Sequence, residues 1–324
     1  MLYIQLMGGM GNQMFIYAFA RAFQLRYNDE ITFVIPEQSL AHAKKCALEE
    51  LSIPQERISF LRTEPEAWPL KRSDKAPEVF VRARWPYFWV RVYRKLETLC
   101  FGSVTEYRPG KDHYEALTQP ILNALGVGCL HGAAYAPIRK PPYGKNFFAW
   151  GYFQSLRYFE PFQAEIRREL SPRAPLSPAM EAMAEEIKSG QSVSVHIRRG
   201  DFFKPGSEIH QVCTAAYYQK AIREISQKIP RAKFYLFSDS PQWIWDNLNL
   251  KDVDFHLVEE SHTALEDLRL MGCCKHFILS NSSFSWWAQY LAPGEDKIVV
   301  APSRWYRDER ETDVYQPDWI RIDP

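Results

Sequence analysis

The chain has 324 residues, 46% of them hydrophobic and 24% charged, so it is long enough to bury a large core and to form two domains. Its 40 Lys and Arg against 39 Asp and Glu give a formal net charge of +1, which excludes a general attraction to nucleic acid or to membranes. The 6 cysteines show neither CxxC nor Cys/His ligand spacing, which excludes a zinc-finger site and a disulfide scaffold.

The N-terminal residues, Met1-Leu-Tyr-Ile-Gln-Leu-Met-Gly8, lack the basic region of a secretory signal peptide. No apolar run in the sequence approaches the roughly 20 residues that span a bilayer. We therefore expect a cytoplasmic protein.

The first predicted elements form a β-loop-α-β opening. Residues 2–7 are expected to form a buried strand, residues 13–26 an apolar helix and residues 31–35 a second strand. Such openings build parallel sheets that bind ligands at the carboxyl ends of their strands. The irregular pattern of residues 60–145 gives no assignment.

The glycine loop of this opening admits more than one interpretation. Gly9-Met-Gly11-Asn-Gln-Met14 resembles a dinucleotide fingerprint, but Met14 stands where the third glycine belongs, which argues against an NAD-dependent oxidoreductase. The glycines would still let the backbone approach another ligand closely, with Asn12 and Gln13 as polar groups at the helix start. A purely structural turn explains them equally well.

Strands and helices alternate clearly in the second half of the chain. Strands are predicted at 192–197, 233–237, 254–258, 276–280 and 297–300, and helices at 179–188, 214–228, 241–248, 263–272 and 283–291. The proline-rich stretch 172–178 suggests a junction, with domains at 1–175 and 176–324. The fold class predicted is α/β, with two doubly wound Rossmann-like domains facing each other across a cleft.

Two adjacent arginines follow the predicted strand 192–197. Alternation places His196 and Arg198 on one face of the strand and directs Arg199 away from Arg198. At the carboxyl end of a strand, a guanidinium group can bind a diphosphate through two hydrogen bonds. An ion pair with Asp201 is the alternative, and the spacing alone leaves both open.

A turn of small polar residues follows the strand predicted at 276–280. Asn281, Ser282 and Ser283 could cap the next helix, or bind an anion together with the backbone amides at its positive end, and the spacing leaves both open. The two tryptophans on that helix, Trp286-Trp287, are expected to pack against the sheet rather than to stack on a sugar.

Two acidic segments complete the candidate site residues. Asp267 lies opposite the apolar side of helix 263–272 and could accept hydrogen bonds from guanine, although a solvated charge is the alternative. Asp252-Val-Asp254 has the form that holds Mn²⁺ or Mg²⁺ in one class of sugar transferases. It precedes its strand, at the amino end, where ligands are not expected, so we prefer a solvated turn and predict no metal.

Six segments carry a family resemblance across nearly the whole chain. They are Gly8-Gly-Met-Gly-Asn-Gln13, Gly151-Tyr-Phe-Gln-Ser155, His196-Ile-Arg-Arg-Gly-Asp201, Phe237-Ser-Asp239, Asp267-Leu-Arg-Leu-Met271 and Ser280-Asn-Ser-Ser-Phe-Ser-Trp-Trp287. In this order they resemble glycosyltransferase family 11, the α1,2-fucosyltransferases. The resemblance implies a GT-B-like fold, GDP-β-L-fucose as donor, no cofactor or metal, and inverting transfer to the 2-hydroxyl of a terminal galactose.

The resemblance also implies roles for individual residues. Arg198 would bind the β-phosphate, His196 would lie beside the nucleotide, and Asp267 would recognise guanine. Further donor contacts would come from two loops, at Gly9, Gly11, Asn12, Gln13, Asn281, Ser282, Ser283 and Phe284. Asp201 is our candidate for the general base that an inverting transfer needs.

Three questions stay open at this point. Another GDP-fucose-dependent linkage and a glycan-binding module without catalysis are the alternative functions. The many tryptophans fit a glycan-binding module, although an arginine pair suits a charged donor better. The sequence is compatible with an O-antigen repeat, a lipid-linked oligosaccharide or a free galactoside as the acceptor. The basic and aromatic segment Lys71–Lys95 could rest on an anionic membrane surface, and a packed helix with solvated arginines is the alternative.

Overall fold

The computed structural model describes residues 1–36, 46–63, 89, 92–93, 95–96, 99–100, 111–130, 134–141, 146–258, 263–308 and 310–324. Most of the segment Lys71–Lys95 lies outside these residues. The chain divides into two compact units, Met1–Arg173 with Arg310–Val314 and Ala174–Glu309 with Tyr315–Pro324. None of the helices in the described part of the chain combines the length and apolar character needed to cross a membrane.

The first unit is built on a parallel sheet. Its described elements are β1 Leu2–Gln5, α1 Met10–Tyr27, β2 Ile31–Pro36, β3 Ile58–Thr63, α2 Lys111–Ala124, β4 Val127–Cys129, β5 Phe147–Trp150 and α3 Gln163–Glu169. The strands lie in the order β3-β2-β1-β5-β4, and every pair is parallel. The order reverses between β1 and β5, which creates a switch point where ligands bind in such sheets.

The predicted β-α-β opening is confirmed, but the predicted helix start at Gln13 is wrong. The helix begins at Met10, because Gln13 N donates to Gly9 O at 3.0 Å and closes the first turn around the glycines. The rest of α1 is buried on nearly all sides, as the core helix of a sheet unit should be. Its middle is fixed by Tyr17 and Arg21, which both donate to the buried carboxylate of Glu169.

The second unit carries the longer parallel sheet. Its described elements are α4 Pro178–Ser189, β6 Ser192–Ile197, α5 Ala215–Lys228, β7 Lys233–Ser238, α6 Pro241–Asn247, β8 Phe255–Leu257, α7 Ala264–Gly272, β9 His276–Ile278, α8 Ser283–Leu291, β10 Val299–Pro302 and β11 Ile320–Ile322. The strand order is β11-β10-β9-β6-β7-β8, parallel throughout. The order reverses between β6 and β9. The doubly wound α/β class predicted from the sequence is therefore confirmed in both units.

Alternation along β6 gives the second unit its core. Val193, Val195 and Ile197 join a buried apolar cluster with Tyr217 and Tyr218 of α5. Their opposite neighbours on the strand are also buried, as expected for a central parallel strand covered on both faces. Four helices of this unit begin at a side-chain cap, at Ser177, Thr214, Thr263 and Ser282, whereas Ser240 before α6 makes no such hydrogen bond.

Candidate active site

The predicted phosphate-binding segments meet at the switch point of the second unit. Strand β6 pairs with β9, with Val195 opposite Ile278, so the residues that follow the two strands leave the sheet side by side. Carboxyl ends at a switch point form the usual ligand crevice of open α/β sheets. His196, Arg198 and the turn from Ser280 are thus brought to one edge of one sheet.

Arg198 lies between two carboxylates. Its Nη2 is 2.7 Å from Asp201 Oδ1 and its Nη1 is 2.8 Å from Asp239 Oδ2. The contact to Asp201 is close in distance but poorly aligned, because Asp201 Oδ1 accepts no hydrogen bond of good geometry. The side chain is 34% exposed. A partly exposed guanidinium with an imperfectly aligned partner keeps N–H donors available for an anionic ligand.

Asp239 shapes the loop that carries Arg198. Its Oδ1 accepts hydrogen bonds from Arg199 N at 2.8 Å and Gly200 N at 3.1 Å, while its other oxygen faces Arg198. A Cβ at Gly200 would lie 2.6 Å from Asp239 Oδ2, so only glycine leaves room for the carboxylate. Sequence reasoning assigned no role to Asp239. The available signal was its place directly after β7, the strand paired with β6.

Arg199 turns away from Arg198, as alternation predicted. Its guanidinium lies 3.4 Å from the ring centroid of Phe203 and 4.1 Å from that of Trp243, and Nη1 donates to Cys213 O at 3.2 Å. Burial lowers the pKa of Arg199. A cation held between two aromatic rings and a carbonyl stabilises the fold and is not directed at a ligand.

His196 is buried and uncharged. Its Nδ1 shares a hydrogen bond of 2.9 Å with Ser280 Oγ, and its ring lies 5.6 Å from that of Phe284. Burial, with a smaller contribution from the charge of Arg198, lowers the pKa of His196 to about 3. The imidazole is therefore neutral at physiological pH, and it can offer a hydrogen bond but no positive charge.

The turn after β9 is held by its own side chains. Asn281 is buried, donates through Nδ2 to His210 O and Trp305 O, both at 3.0 Å, and has its Oδ1 3.6 Å from Cys213 Sγ. The Ser282 hydroxyl caps α8 by accepting from Phe284 N at 3.3 Å. The capping interpretation is confirmed for Ser282, and Asn281 ties three segments of the unit together.

The remaining predicted residues of the second unit lie on α7 and α8. Leu265, Leu268 and Met271 are buried, while Asp267 on the same helix is half-buried. The two tryptophans of α8 are fully buried with their rings 5.0 Å apart, so they pack in the core as predicted. Ser283, the first residue of α8, is half-buried.

The glycine loop lies at the switch point of the first unit. Gly8 has φ of +76°, and a Cβ there would lie 2.6 Å from Asn12 Nδ2. Gly9 precedes α1 with nothing near its Cβ position, while Gly11 is buried inside the helix. Gln13 is fully buried, donating to Gly8 O and accepting from Ala47 N, both at 2.9 Å. The Gln13 amide therefore shapes the loop from inside.

The segment after β5 reaches the same switch point. Gln154 Nε2 donates to Asn12 Oδ1 at 2.8 Å, which links the turn after β5 to the first turn of α1. The segments Gly8–Gln13 and Gly151–Ser155, 130 residues or more apart along the chain, thus form one constellation of amide groups. Sequence reasoning named both segments but did not bring them together.

The Asp-x-Asp segment lies where the sequence placed it. Asp252 and Asp254 precede β8, and Asp254 O accepts from Phe234 N at 2.9 Å, at the amino end of the sheet. Within the residues that the structure describes, no three His, Cys, Asp or Glu side chains are grouped to hold a metal ion. The metal-free donor site stays a prediction.

The chain is similar to known glycosyltransferases. The family model described as Glycosyl transferase family 11 matches residues 132–323. An alpha-1,2-colitosyltransferase of Escherichia coli is 33% identical over 180 residues, which cover 53% of this chain and 61% of that relative. The O-antigen biosynthesis glycosyltransferase WbnK of Escherichia coli is 25% identical over 340 residues, covering 99% and 100%. Human galactoside alpha-(1,2)-fucosyltransferase 1 is 25% identical over 205 residues, covering 58% and 54%.

Proposed function

The chain belongs to glycosyltransferase family 11, and we propose that it is an inverting α1,2-fucosyltransferase that moves L-fucose from GDP-β-L-fucose to the 2-hydroxyl of a terminal galactose. The names of its relatives support an α1,2 linkage and a place in O-antigen biosynthesis. The observation that carries the proposal is the position of Arg198 at the β6/β9 switch point, partly exposed and held between two carboxylates.

Arg198 is proposed to bind the diphosphate as the leaving group departs. A guanidinium fork matches two phosphate oxygens, and it stabilises most strongly the charge that develops on GDP in the transition state. The diphosphate replaces the poorly aligned contact to Asp201, while Asp239 still accepts hydrogen bonds from the backbone N–H groups of Arg199 and Gly200. The guanidinium of Arg198 is thus positioned before the donor binds, and some of its N–H donors remain available for the diphosphate.

His196 and the turn after β9 complete the donor site in this proposal. A neutral imidazole adds a hydrogen bond beside the nucleotide without adding charge. Ser283 and Phe284 at the start of α8 line the phosphate and base pocket, and Asp267 accepts from guanine. Asn281 and Ser282, whose side chains are engaged within the unit, act by positioning the turn.

Residues of the first unit are proposed to face the donor from the glycine loop. Gly9 and Gly11 let the backbone approach closely, and Asn12 presents an amide. Gln13 contributes by holding Gly8 and Ala47 rather than by touching the donor, because both ends of its amide are used inside the unit. No metal ion or other cofactor takes part.

Asp201 is proposed as the general base for the acceptor hydroxyl. An inverting transfer needs a proton acceptor on the face opposite the leaving group, and only late in the reaction. When the diphosphate takes over Arg198, the Asp201 carboxylate is released from the guanidinium and can accept a hydrogen bond from the acceptor hydroxyl. The same event therefore binds the donor and prepares the base.

The test is a transfer assay on the purified protein. GDP-fucose is supplied with a β-galactoside, and the linkage of the product is determined by NMR, with a colitosyl donor in a parallel reaction because of the colitosyltransferase relative. An α1,2-fucosylated product is expected. Transfer of colitose but not fucose would contradict GDP-fucose as the donor, and a product with another linkage would contradict the α1,2 assignment. Binding of the galactoside without turnover would favour a glycan-binding module.

A cytoplasmic enzyme in peripheral contact with an anionic membrane is proposed in addition. Among the α2 side chains that the structure describes, from residue 114 onward, the exposed ones are apolar, at Ala116, Leu117, Pro120, Ile121 and Ala124, while Glu115, Gln119 and Asn123 are buried. The segment Lys71–Lys95 before it contains 8 basic and 2 acidic residues. Exposed apolar side chains on a helix, together with a basic segment in the same sequence, are typical of proteins that bind an anionic lipid surface.

Vesicle co-sedimentation tests this contact. We expect binding to anionic vesicles at low salt, loss of binding in high salt, and weaker binding of the variants Leu117→Ser with Ile121→Ser and Arg91→Glu with Arg94→Glu. Binding that is absent at low salt, or that is unchanged in both variants, would show that the segment is structural. Light scattering in the absence of vesicles distinguishes vesicle binding from self-association of the protein through the same helix face.

A further inference from the structure

The turn Gly151–Ser155 has no role in the reaction described so far, yet its backbone is held in an unusual shape. Gly151 has φ of +151°, and a Cβ there would lie 2.6 Å from Leu130 O. Phe153, which is not a glycine, has φ of +51°. Left-handed backbone at a side-chain-bearing residue persists only when the surroundings hold it there.

The shape of the turn sends consecutive side chains in different directions. Phe153 is 2% exposed, and its ring stacks on that of Phe19 at 3.9 Å, which anchors the turn to α1. Tyr152 before it is 39% exposed. Gln154 after it reaches Asn12. The strained residue is thus the anchor, and its two neighbours are presented at the carboxyl end of β5.

Gln154 retains hydrogen-bonding capacity toward a ligand. Its Nε2 donates to Asn12 Oδ1 at 2.8 Å, and its Oε1 accepts no hydrogen bond from the described residues. Gly8 gives Asn12 the room for this arrangement, because any Cβ at Gly8 would collide with Asn12 Nδ2. Both glycines at positive φ, Gly8 and Gly151, therefore shape the loops around this amide pair.

The chemistry of the constellation suits a neutral sugar. Amide oxygens and nitrogens match the hydroxyl groups of a sugar as acceptors and donors. An exposed tyrosine offers an apolar ring face with a polar tip, which can cover the C–H side of a sugar ring. Tyr152, Gln154 and Asn12 carry no charge at neutral pH, in contrast to the site around Arg198.

We infer that Tyr152 and Gln154, with Asn12, bind the terminal sugar of the acceptor. This inference rests on the proposed function, in which Asn12 faces the donor. The reacting hydroxyl must lie within about 3.5 Å of the fucosyl carbon, so the acceptor sugar has to sit directly beside the residues that face the donor. Gln154 is hydrogen-bonded to Asn12, so it is the neighbour of a residue that faces the donor in the proposed function.

The experiment separates acceptor binding from donor chemistry. Tyr152→Ala, Tyr152→Phe and Gln154→Ala are compared with wild type and with Trp245→Ala, which removes an aromatic ring that is 54% exposed on α6 of the other unit. The measurements are the acceptor KM, the donor KM, the hydrolysis of GDP-fucose without acceptor, and galactoside binding by saturation-transfer NMR without donor.

We expect Tyr152→Ala and Gln154→Ala to raise the acceptor KM about ten-fold, the effect of losing one hydrogen bond or one stacked ring. Donor KM and hydrolysis stay near wild type, and Tyr152→Phe keeps most acceptor binding because the ring remains. Trp245→Ala changes none of these quantities.

Two outcomes would overturn the inference. An unchanged acceptor KM and unchanged galactoside binding in both alanine variants would make the turn structural, and a raised donor KM with an unchanged acceptor KM would move it to the donor side. Failure of the proposed function is recognised separately, because the wild type would then show no GDP-fucose hydrolysis and no transfer, whatever the galactoside NMR signal does.

Discussion

The switch points of the two parallel sheets use the same topological position for opposite chemistry. Between β6 and β9 of the second unit the side chains are charged, with Arg198 held by Asp201 and Asp239. Between β1 and β5 of the first unit they are neutral, with the amides of Asn12 and Gln154 in contact. The fold sets where ligands bind, and the loop residues set which ligand is bound.

The two loops are also built by different means. In the second unit the Asp239 carboxylate binds two backbone N–H groups and fixes the arginine loop from outside. In the first unit Gly8 and Gly151 adopt positive φ and make room for other groups. The loop proposed to bind the diphosphate is thus held by a carboxylate, whereas the loop proposed to bind the acceptor sugar depends on glycine conformation and on neutral amide hydrogen bonds.

The largest effect is expected from Arg198→Lys. The charge is kept, but the two hydrogen bonds that the guanidinium is proposed to make to the leaving diphosphate are lost, so the barrier should rise by about 3 to 4 kcal/mol. Initial rates at saturating GDP-fucose measure this. Arg199→Lys is the matched control, because Arg199 stacks between Phe203 and Trp243. It should lose about 1 kcal/mol of stability and little activity.

Near wild-type turnover of Arg198→Lys at saturating donor would show that the charged switch point does not stabilise the leaving group. If both lysine variants lost the same activity at unchanged stability, the assignment of Arg198 to the donor and of Arg199 to the fold would be wrong.

The second prediction concerns the buried imidazole of the charged switch point. Burial lowers the pKa of His196 to about 3 in the folded protein, against about 6.5 when unfolded. The free energy of unfolding is therefore unaffected by His196 titration above about pH 6.5. It decreases as the pH falls from 6.5 toward 3, because in that range only the unfolded chain takes up the proton. The slope is about 1.4 kcal/mol per pH unit, or about 2 kcal/mol between pH 7 and 5.

Urea unfolding of wild type and His196→Gln at both pH values measures this difference. In the variant, unfolding no longer involves uptake of a proton by residue 196. Its free energy of unfolding should therefore fall less steeply with decreasing pH than that of wild type. Parallel pH profiles for the two proteins would show that His196 titrates alike in the folded and unfolded chains.

Periodicity and capping were enough to predict most of the second unit. Strand 192–197 and helix 283–291 are found with the predicted bounds, since alternation and the cap Ser282 are local signals. In the first unit the helix start was missed by three residues, because the hydrogen bonds of Gln13 that stabilise a glycine-rich first turn come from the folded loop. Short strands such as β4, three residues long, acquire their structure from their neighbours in the sheet.

The candidate site shows the same limit. The orientation of Arg198 and Arg199 followed from alternation, but the role of Asp239 depends on the pairing of β6 with β7, which places residues 40 apart in contact. Likewise, the contact between Asn12 and Gln154 joins residues 142 apart through the pairing of β1 with β5. Register between strands is a long-range property that no local pattern contains.

A smaller effect is expected from Gly8→Ala in the neutral switch point. Alanine at φ of +76° is strained, and its Cβ would collide with Asn12 Nδ2, so the substitution should cost about 1 to 2 kcal/mol of stability and raise the acceptor KM. Gly9→Ala is the matched control, because nothing lies within 4 Å of its Cβ position. Urea unfolding and acceptor kinetics of both variants give the comparison. If both variants behaved alike, the shape of the Gly8 loop would not matter to the site.

The smallest expected effect is that of chelation, which should leave activity unchanged. In the proposed mechanism the positive charge that offsets the leaving diphosphate comes from Arg198, which is held by Asp239, so a cation would duplicate its role. The Asp-x-Asp segment lies before β8 at the amino end of the sheet, away from the switch point at the carboxyl ends. Transfer rates are measured with EDTA present and after addition of Mn²⁺ or Mg²⁺, for wild type and for Asp252→Asn with Asp254→Asn. Loss of activity in EDTA that either cation restores would contradict a metal-free donor site, and if the double variant were inactive under all conditions, the segment at the amino end would be the place where the cation acts.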